Sequence, residues 1–211
     1  MPDLFAKPTD RGRQKQRRSD SKFEEKRDEL MLVAAHLFRE RGYENTSLQD
    51  LADALGVTKP AIYYYVQSKS ELLTFIKTKA QVQLYEAIQE ASNVEGTGLD
   101  KLLTLAPRYI EIMASDFGRC LVRIAPRVLD GKDRGEIEGR NAISQRRMTM
   151  FIEEGVKDGS ISPRPVIILY AAAFGILNSV AAWYNPQGAI GLRNLKEHYC
   201  AILRQALARK A

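Results

Sequence analysis

The segment TKPAIYYYV carries side chains that could read and hold a nucleic acid. Lys59 can donate hydrogen bonds to guanine O6 and N7, and the small apolar atoms of Pro60 and Ala61 can meet a thymine methyl group. The hydroxyls of Tyr63 and Tyr65 suit phosphate oxygens, which fix the register of a protein on DNA without reading its sequence. These residue types therefore predict recognition of double-stranded DNA.

Three consecutive tyrosines, Tyr63, Tyr64 and Tyr65, cannot all face one partner, because neighbouring residues of a helix point in different directions. We expect Tyr64 to pack inward, which leaves Tyr63 and Tyr65 to contact the DNA backbone. The ammonium group of Lys69 and the hydroxyl of Thr46 suit phosphate oxygens in the same way.

The residue types that enzymes and metal sites need do not come together in this sequence. Cys120 and Cys200 are far apart and form no CxxC pair, so we expect two reduced thiols. His36 and His198 have no companions at ligand spacing, and no Gly-rich phosphate loop follows a strand. An enzyme would need a nucleophile, base or metal constellation. We therefore predict no catalytic residues, no metal and no cofactor.

Two short helices joined by a tight turn must position the DNA-reading residues. Ser47 and Asp50 form a capping box that begins the first helix, and Gly56 ends it where a left-handed residue is needed. Thr58 can cap the second helix, and Pro60 lies in its first turn. The apolar face of the first helix is Leu48, Leu51, Ala52 and Leu55. This is the pattern of a helix-turn-helix, and an ordinary helical hairpin is the alternative.

The segment from Leu32 to Leu73 resembles the DNA-binding domain of TetR-type (TetR/AcrR) transcriptional regulators. The motifs that carry the resemblance are AAHLFRERGYENTS, LADALGVTKPAIYYYV and QSKSELL. The matching positions are Phe38, Gly42, Tyr43, Thr46, Ala52, Gly56, Val57, Ile62, Tyr63, Lys69 and Leu72. Val66 stands in place of the more usual Phe, and Pro60 in place of the more usual Gly.

The resemblance implies which residues touch DNA. Those that stand at the family's contact positions are Thr46, Gln49, Thr58, Lys59, Ala61, Tyr63, Tyr65 and Lys69. The predicted DNA-binding set adds Ser47 and Pro60 to these. Pro60 is expected to change which bases are read, without affecting the fold.

The charge distribution agrees with an anionic partner. The chain has 32 Lys and Arg against 26 Asp and Glu, a net charge of +6. Residues 1–21 lack apolar periodicity, so we expect a flexible arm there. From Arg11 to Arg18 it has five basic residues and no acidic one: Arg11, Arg13, Lys15, Arg17 and Arg18. Such an arm can lie along phosphates or enter the minor groove, and a solvated tail is the alternative.

The sequence predicts an all-α fold of about nine helices, because it contains no period-2 strand pattern. Beyond the helix-turn-helix, the expected helices are 23–41, 69–92, 99–117 with a kink at Pro107, short pieces over 119–128, then 136–158, 163–184 and 192–209. The expected domains are a basic arm at 1–21, a three-helix DNA-binding head at 22–72, and a helical ligand-binding and dimerisation domain at 73–211.

The last two helices favour a homodimer. The first is apolar almost all round, so it must be buried on more than one side. Small residues that permit close approach lie along it: Ala171, Ala172, Ala173 and Gly175. The second of these helices has a single apolar stripe. Two copies of the helix pair, related by a two-fold axis, would then form a four-helix interface. The alternative is that both helices cover a monomeric core.

The middle helices are expected to enclose an apolar effector. The predicted lining residues are Tyr109, Met113, Phe117, Leu121, Ile124, Met148, Phe151, Phe174, Asn178 and Trp183. Such a mixture of apolar and few polar groups is usual for small-molecule sites, and a solid core is the alternative.

The motif WYNPQG resembles the end of the penultimate helix in TetR-type regulators that respond to acyl-CoA or other lipids, although Gly191 stands where those often have Ser or Thr. The resemblance makes Arg119, Arg123, Arg146 and Arg147 candidates for the phosphates of an acyl-CoA.

These observations predict a cytoplasmic, nucleoid-associated regulator: a dimeric repressor that binds a palindromic operator and is released by a small hydrophobic effector such as an acyl-CoA. No signal peptide is visible, and the longest apolar run, 166–182, is interrupted by polar residues, so no membrane partner is expected. The alternative is an architectural DNA-binding protein without an effector.

Overall fold

The computed structural model describes residues 10–123 and 131–209, with the backbone alone at 10–20, 121, 123, 131–134 and 136–138. Within these residues the fold is all-helical, and the one extended pairing is a bridge between Ile161 and Ala208. The nine helices of the described part are α1 Asp10–Arg41, α2 Leu48–Leu55, α3 Lys59–Tyr63, α4 Lys69–Ser92, α5 Gly98–Ala114, α6 Asp116–Arg123, α7 Gly131–Asp158, α8 Val166–Trp183 and α9 Leu192–Leu207.

The chain divides into two compact units, residues 1–69 and 70–211. In the first unit, α2 packs against both α1 and α3. The buried core of these three helices includes Leu30, Ala34, Phe38, Leu51, Ala52, Ile62 and Val66. The predicted three-helix head is confirmed.

The two ends of α2 are set by local interactions, as the sequence predicts. The Asp50 N–H donates to Ser47 Oγ at 3.2 Å, and the Ser47 N–H donates to Asp50 Oδ2 at 2.7 Å. Gly56 ends the helix at φ 65°, a left-handed conformation that other residues adopt only with strain. The capping box and the glycine cap therefore place the turn of the helix-turn-helix.

Helix α1 begins earlier than expected. The prediction of a flexible arm is wrong for residues 10–21, which form the first turns of α1, while residues 1–9 lie outside the described part. Arg, Lys and Gln dominate this segment, and their unbranched side chains lose little freedom in a helix. Extending a helix that is already formed is also far easier than starting a new one.

The second unit is built around α5, which packs against α6, α7, α8 and α9. Leu102, Leu105 and Ile110 are fully buried along it. At the start of α5, a Cβ on Gly98 would lie 2.1 Å from the backbone nitrogen of Gly155. Only glycine permits this close crossing of α5 and α7.

Several helix boundaries in the second unit differ from the predictions. The expected helix 99–117 ends at Ala114, because Ser115 is extended and a separate helix, α6, follows to Arg123. Helix α7 begins at Gly131 rather than at 136. Pro107 lies inside α5, and α4 has the predicted bounds Lys69–Ser92.

Helix α8 is long and apolar enough to cross a membrane by length and composition, and only a third of it is buried. A helix that is apolar on all sides is also what an interface between two chains requires. Its exposed side chains are therefore candidates for an interface.

Candidate DNA-binding surface and effector pocket

The recognition helix α3 is anchored by one residue and exposes its amino end. Ile62 is only 1% exposed, and it fixes the helix against the head. Lys59 and Pro60 are exposed and Ala61 is half-buried, so the three predicted base-reading residues lie on the accessible side. The Lys59 ammonium nitrogen is 6.0 Å from the centre of the Tyr63 ring.

The residues around the two helix starts have different environments. Thr58 is exposed at the start of α3, and its hydroxyl makes no capping hydrogen bond. Gln49 is exposed on α2, where its amide donates to Asp53 Oδ1 at 2.8 Å. Ser47 is exposed, but its hydroxyl belongs to the capping box. The Thr58 hydroxyl thus differs from the Gln49 amide and the Ser47 hydroxyl, which both make hydrogen bonds within α2 or its cap.

Thr46 corrects one prediction. It is 1% exposed, and its hydroxyl donates to the carbonyl of Gly42 at 2.8 Å. A buried hydroxyl must find a partner within the protein. Thr46 therefore stabilises the turn before α2, and its side chain does not present an oxygen to a phosphate.

Lys69 also faces its own chain. Its ammonium nitrogen donates to the carbonyl of Tyr43 at 2.7 Å and lies 4.3 Å from the centre of the Tyr43 ring. Both contacts tie the start of α4 to the turn between α1 and α2. The structure thus gives Lys69 a positioning role inside the head, in place of the purely DNA-directed one that the sequence predicts.

The prediction that Tyr64 packs inward is wrong. Tyr64 is 71% exposed, because Ile62 and Val66, four residues apart, occupy the inward positions. Tyr65 is the half-buried tyrosine, and its ring centre lies 5.0 Å from that of Phe23 on α1. Sequence reasoning missed Phe23, although it is the one aromatic residue in the charged segment before Leu30.

Most of the predicted effector residues form a packed core. The buried members of the set are Tyr109, Met113, Phe117, Met148, Phe151 and Phe174. Asn178 is half-buried and accepts a hydrogen bond from the Tyr109 hydroxyl at 2.7 Å, and burial raises the pKa of that hydroxyl. The side chain of Leu121 and all of Ile124 lie outside the described residues.

Trp183, the last member of this set, lies near the surface. It is 48% exposed, and its indole N–H donates to the Tyr199 hydroxyl at 2.8 Å. The same hydroxyl lies 3.0 Å from that of Ser179. Trp183 therefore joins α8 to α9 at the surface.

An apolar pocket of about 240 Å³ lies between α4 and α7. It is lined by Gln81, Val82, Tyr85, Arg140, Ile143 and Ser144. Beside it, the Gln81 amide donates to Asn141 Oδ1 at 2.9 Å and links the two helices. Sequence reasoning missed this pocket, although Val82, Tyr85 and Ile143 are apolar residues on the polar faces of their helices.

A large apolar surface is exposed on α8 and α9, and we call it the α8–α9 face. Its members are Ile167, Ile168, Ala171, Ala172, Gly175, Trp183 and Ile202. Ala173, expected among the small contact residues, is buried against the core instead. Exposed apolar residues of this kind are candidates for an interaction site.

Family models match most of the chain. Residues 30–74 match the bacterial regulatory proteins of the tetR family, and residues 95–207 match the tetracyclin repressor-like C-terminal domain. This chain belongs to the TetR family. It is a DNA-binding transcriptional regulator and not an enzyme, as the sequence predicted.

Two relatives of this TetR-family protein are repressors called KstR2. The protein from Mycolicibacterium smegmatis is 25% identical over 181 residues, covering 84% of this chain and 88% of the relative. The protein from Rhodococcus jostii is 29% identical over 192 residues, covering 87% and 91%.

Solved structures share the fold of this TetR-family chain. The ketosteroid regulator KstR2 of Mycobacterium tuberculosis superposes with a TM-score of 0.79 at 22% identity, covering 88% of this chain and 96% of that one. AibR, solved with isovaleryl coenzyme A and operator DNA, has a TM-score of 0.74 at 20% identity, covering 84% and 97%. At these identities the likeness concerns the fold.

Proposed function

We propose that this TetR-family regulator is a dimeric repressor that binds a palindromic operator and leaves it when a hydrophobic effector, an acyl-CoA or a related lipid, is bound. The main observation behind the proposal is that Lys59 and Pro60 are exposed at the start of α3, beside Ala61. Ile62 anchors this helix in the core of the head. The KstR2 relatives are themselves repressors, which supports the proposed sign of regulation.

The palindrome follows from the proposed dimer. A single recognition helix reads only a few base pairs, and two copies related by a two-fold axis read half-sites about 34–36 Å apart. The α8–α9 face supports such pairing, because Ala171, Ala172 and Gly175 would let the helices of two chains approach closely.

The effector is proposed to bind in the pocket between α4 and α7. Helix α4 begins at Lys69, the residue at which the DNA-binding unit ends, so a displacement of α4 is transmitted to the head through the chain itself. An effector acts in this way only if it binds the released conformation more tightly than the DNA-bound one.

An acyl-CoA fits the chemistry around this pocket. Val82, Tyr85 and Ile143 supply apolar surface for an acyl chain, and Arg140 lies at the lining itself. Arg147 is exposed two turns further along the same stripe of α7, within reach of a nucleotide phosphate. The fold neighbour AibR was solved with isovaleryl coenzyme A, which supports this class of ligand.

The other predicted arginines are less suited to a phosphate. The Arg119 guanidinium donates to the carbonyl of Tyr184. Arg146 lies 3.9 Å from Glu153, an exposed pair of little energetic weight. The side chain of Arg123 is outside the described residues.

The experiment is a footprint on the DNA upstream of the protein's own gene, followed by titration with isovaleryl-CoA and palmitoyl-CoA. We expect protection of a palindrome of about two helical turns, and release by an acyl-CoA but not by free coenzyme A. Ile143→Lys should abolish the release, whereas Met150→Lys, also exposed on α7 but outside the pocket lining, should not. Protection without sequence preference and with a steep salt dependence would instead indicate an architectural protein.

A further inference from the structure

An aromatic cluster joins α1 to the end of the recognition helix. The ring centre of Phe23 lies 5.5 Å from that of Tyr64 and 5.0 Å from that of Tyr65. The Arg27 guanidinium lies 5.9 Å from the centre of the Phe23 ring. Such ring pairs add to stability beyond their buried area, so this contact holds α1 at a defined place beside α3.

On the amino-terminal side of Phe23, helix α1 has more basic than acidic residues. Residues 21–41 have five basic and five acidic residues, and several of them pair, as Lys26 does with Glu29 at 2.6 Å. Residues 10–20 have five basic residues against two acidic ones, a net charge of +3, which is half that of the whole chain. We call residues 10–20 the basic segment of α1.

The continuity of α1 determines how far this charge reaches. Arg18 precedes Phe23 by five residues and Arg11 precedes it by twelve, with no break in the helix. At about 1.5 Å per residue, the basic positions lie roughly 8 to 18 Å along the axis from the aromatic cluster. This distance corresponds to about two to five base pairs of DNA.

We infer that the basic segment of α1 is a second DNA-contacting surface, which binds phosphates just outside the half-site and is held there by Phe23. The inference rests on the proposed operator binding. Tyr64 ends the recognition helix and is exposed, so the cluster lies at the edge of the surface that meets the groove. A helix that leaves this point with a net charge of +3 should attract the flanking phosphodiester backbone. Phe23 is a positioning residue, and the basic residues supply the contact.

The proposed contact with the flanking phosphates depends on charge, whereas base reading depends on the DNA sequence. Phosphate contacts are independent of sequence, and each adds about 0.9 to the slope of log K against log salt. The segment should therefore raise affinity for duplexes with longer flanks, whatever the sequence of those flanks. It should leave the base preference within the palindrome unchanged.

The test is a thermodynamic cycle between protein charge and DNA length. The probes are a duplex of about 40 base pairs, selected from a random library with the wild-type protein, and the same duplex trimmed to its palindrome. Trimming should weaken DNA binding by the wild type, and it should have a smaller effect on binding by the double variant Arg17→Gln, Arg18→Gln. That variant should also show a salt slope smaller by about 1 for each phosphate that it no longer neutralises. Glutamine preserves helix propensity, and circular dichroism checks that the fold is unchanged.

Three further variants separate position from charge. Phe23→Ala keeps every charge and should behave like the double variant, whereas Phe23→Tyr should behave like the wild type. The matched control is Arg164→Gln with Arg193→Gln, which removes two exposed charges from the second unit and should respond to trimming as the wild type does.

Several outcomes would overturn the inference. If trimming weakened DNA binding equally for the wild type and the double variant, a flank contact would be excluded. If the Phe23→Ala protein responded to trimming as the wild type does, the positioning role of Phe23 would be excluded. If trimming affected DNA binding by the Arg164→Gln, Arg193→Gln control as little as binding by the double variant, the reduced sensitivity would come from net charge alone. Binding to vesicles of anionic lipid that is abolished by the double variant, with DNA binding unchanged, would assign the segment to a membrane surface. A wild type that selects no duplex at all would overturn the proposed function together with this inference.

Discussion

The ammonium nitrogen of Lys69 lies 2.7 Å from the carbonyl oxygen of Tyr43 and 4.3 Å from the centre of its ring. One side chain thus bonds the backbone and covers the aromatic face of a residue 26 positions earlier. The contact closes the turn that precedes α2. In a family whose members read DNA with a short helix, a lysine at this position stabilises the head before any DNA is bound.

Lys69→Met should therefore destabilise the protein. The substitution keeps an unbranched side chain that is one atom shorter. It removes a charge-assisted hydrogen bond and a cation–π contact, and we expect a decrease of about 1–2 kcal/mol in the free energy of unfolding. Urea denaturation measures it. Lys59→Met is the control, because Lys59 is exposed and its replacement should change stability by less than about 0.5 kcal/mol.

Lys59→Ala should relax base preference. Removing a hydrogen-bond donor from a guanine edge costs about 1–3 kcal/mol at the affected position, while binding to random duplex changes little. Selection from a randomised half-site, followed by fluorescence anisotropy, measures the change. An unaltered base preference would mean that Lys59 contacts phosphates only.

The capping box predicts a specific response to acid. The hydrogen bond from the Ser47 hydroxyl, with that from the Ser47 backbone, lowers the pKa of Asp50 below its ordinary value of 3.8. Because the unfolded carboxyl binds protons more readily than the folded one, the stabilisation is complete above pH 3.8 and is lost as the pH falls through the lower folded value. Asp50→Asn should be less stable than the wild type at neutral pH.

The measurement is the urea midpoint of the wild type and of Asp50→Asn across the acid range, in which the two curves should converge. A difference that stays constant down to the lowest pH would show that the charge of Asp50 is not the source of the effect.

Ile168→Lys should prevent dimerisation. Ile168 is 58% exposed on the α8–α9 face, and a lysine there would bring two like charges together across a two-fold axis. Light scattering at micromolar concentration should give the mass of one chain, 23.8 kDa, with an unchanged helical content. Ile143→Lys has the same chemistry at a residue of nearly equal exposure on α7, and it should leave the dimer intact. A monomeric wild type would refute the proposed interface.

Predictions that depend on short-range interactions agree best with the structure. Ser47, Asp50 and Gly56 set the ends of α2 through hydrogen bonds between near neighbours, and α4 has the predicted bounds. The prediction for the amino end of α1 is wrong, because a segment without apolar periodicity can still be helical. A helix that is already formed tolerates a polar extension.

The proposed effector site was the least predictable part. Tyr109, Met148 and Phe174 have the composition of a pocket lining and are buried, while the proposed pocket is lined by residues that include Tyr85 and Ile143. Composition cannot distinguish a core from a cavity, since both use the same apolar side chains. The difference lies in how closely α4, α5 and α7 approach one another.

By itself, the amino-acid sequence determined the helical class, the helix-turn-helix and the family, because capping, glycine turns and apolar periodicity act between near neighbours. Tertiary structure decided which side chains are accessible. Tyr64 is exposed because Ile62 and Val66 take the inward positions, and Phe23, far earlier in the chain, packs beside the half-buried Tyr65. Trp183 likewise bonds to a partner, Tyr199, that only the packing of helices brings near. Contacts of this kind depend on the relative placement of whole helices, which no local pattern specifies.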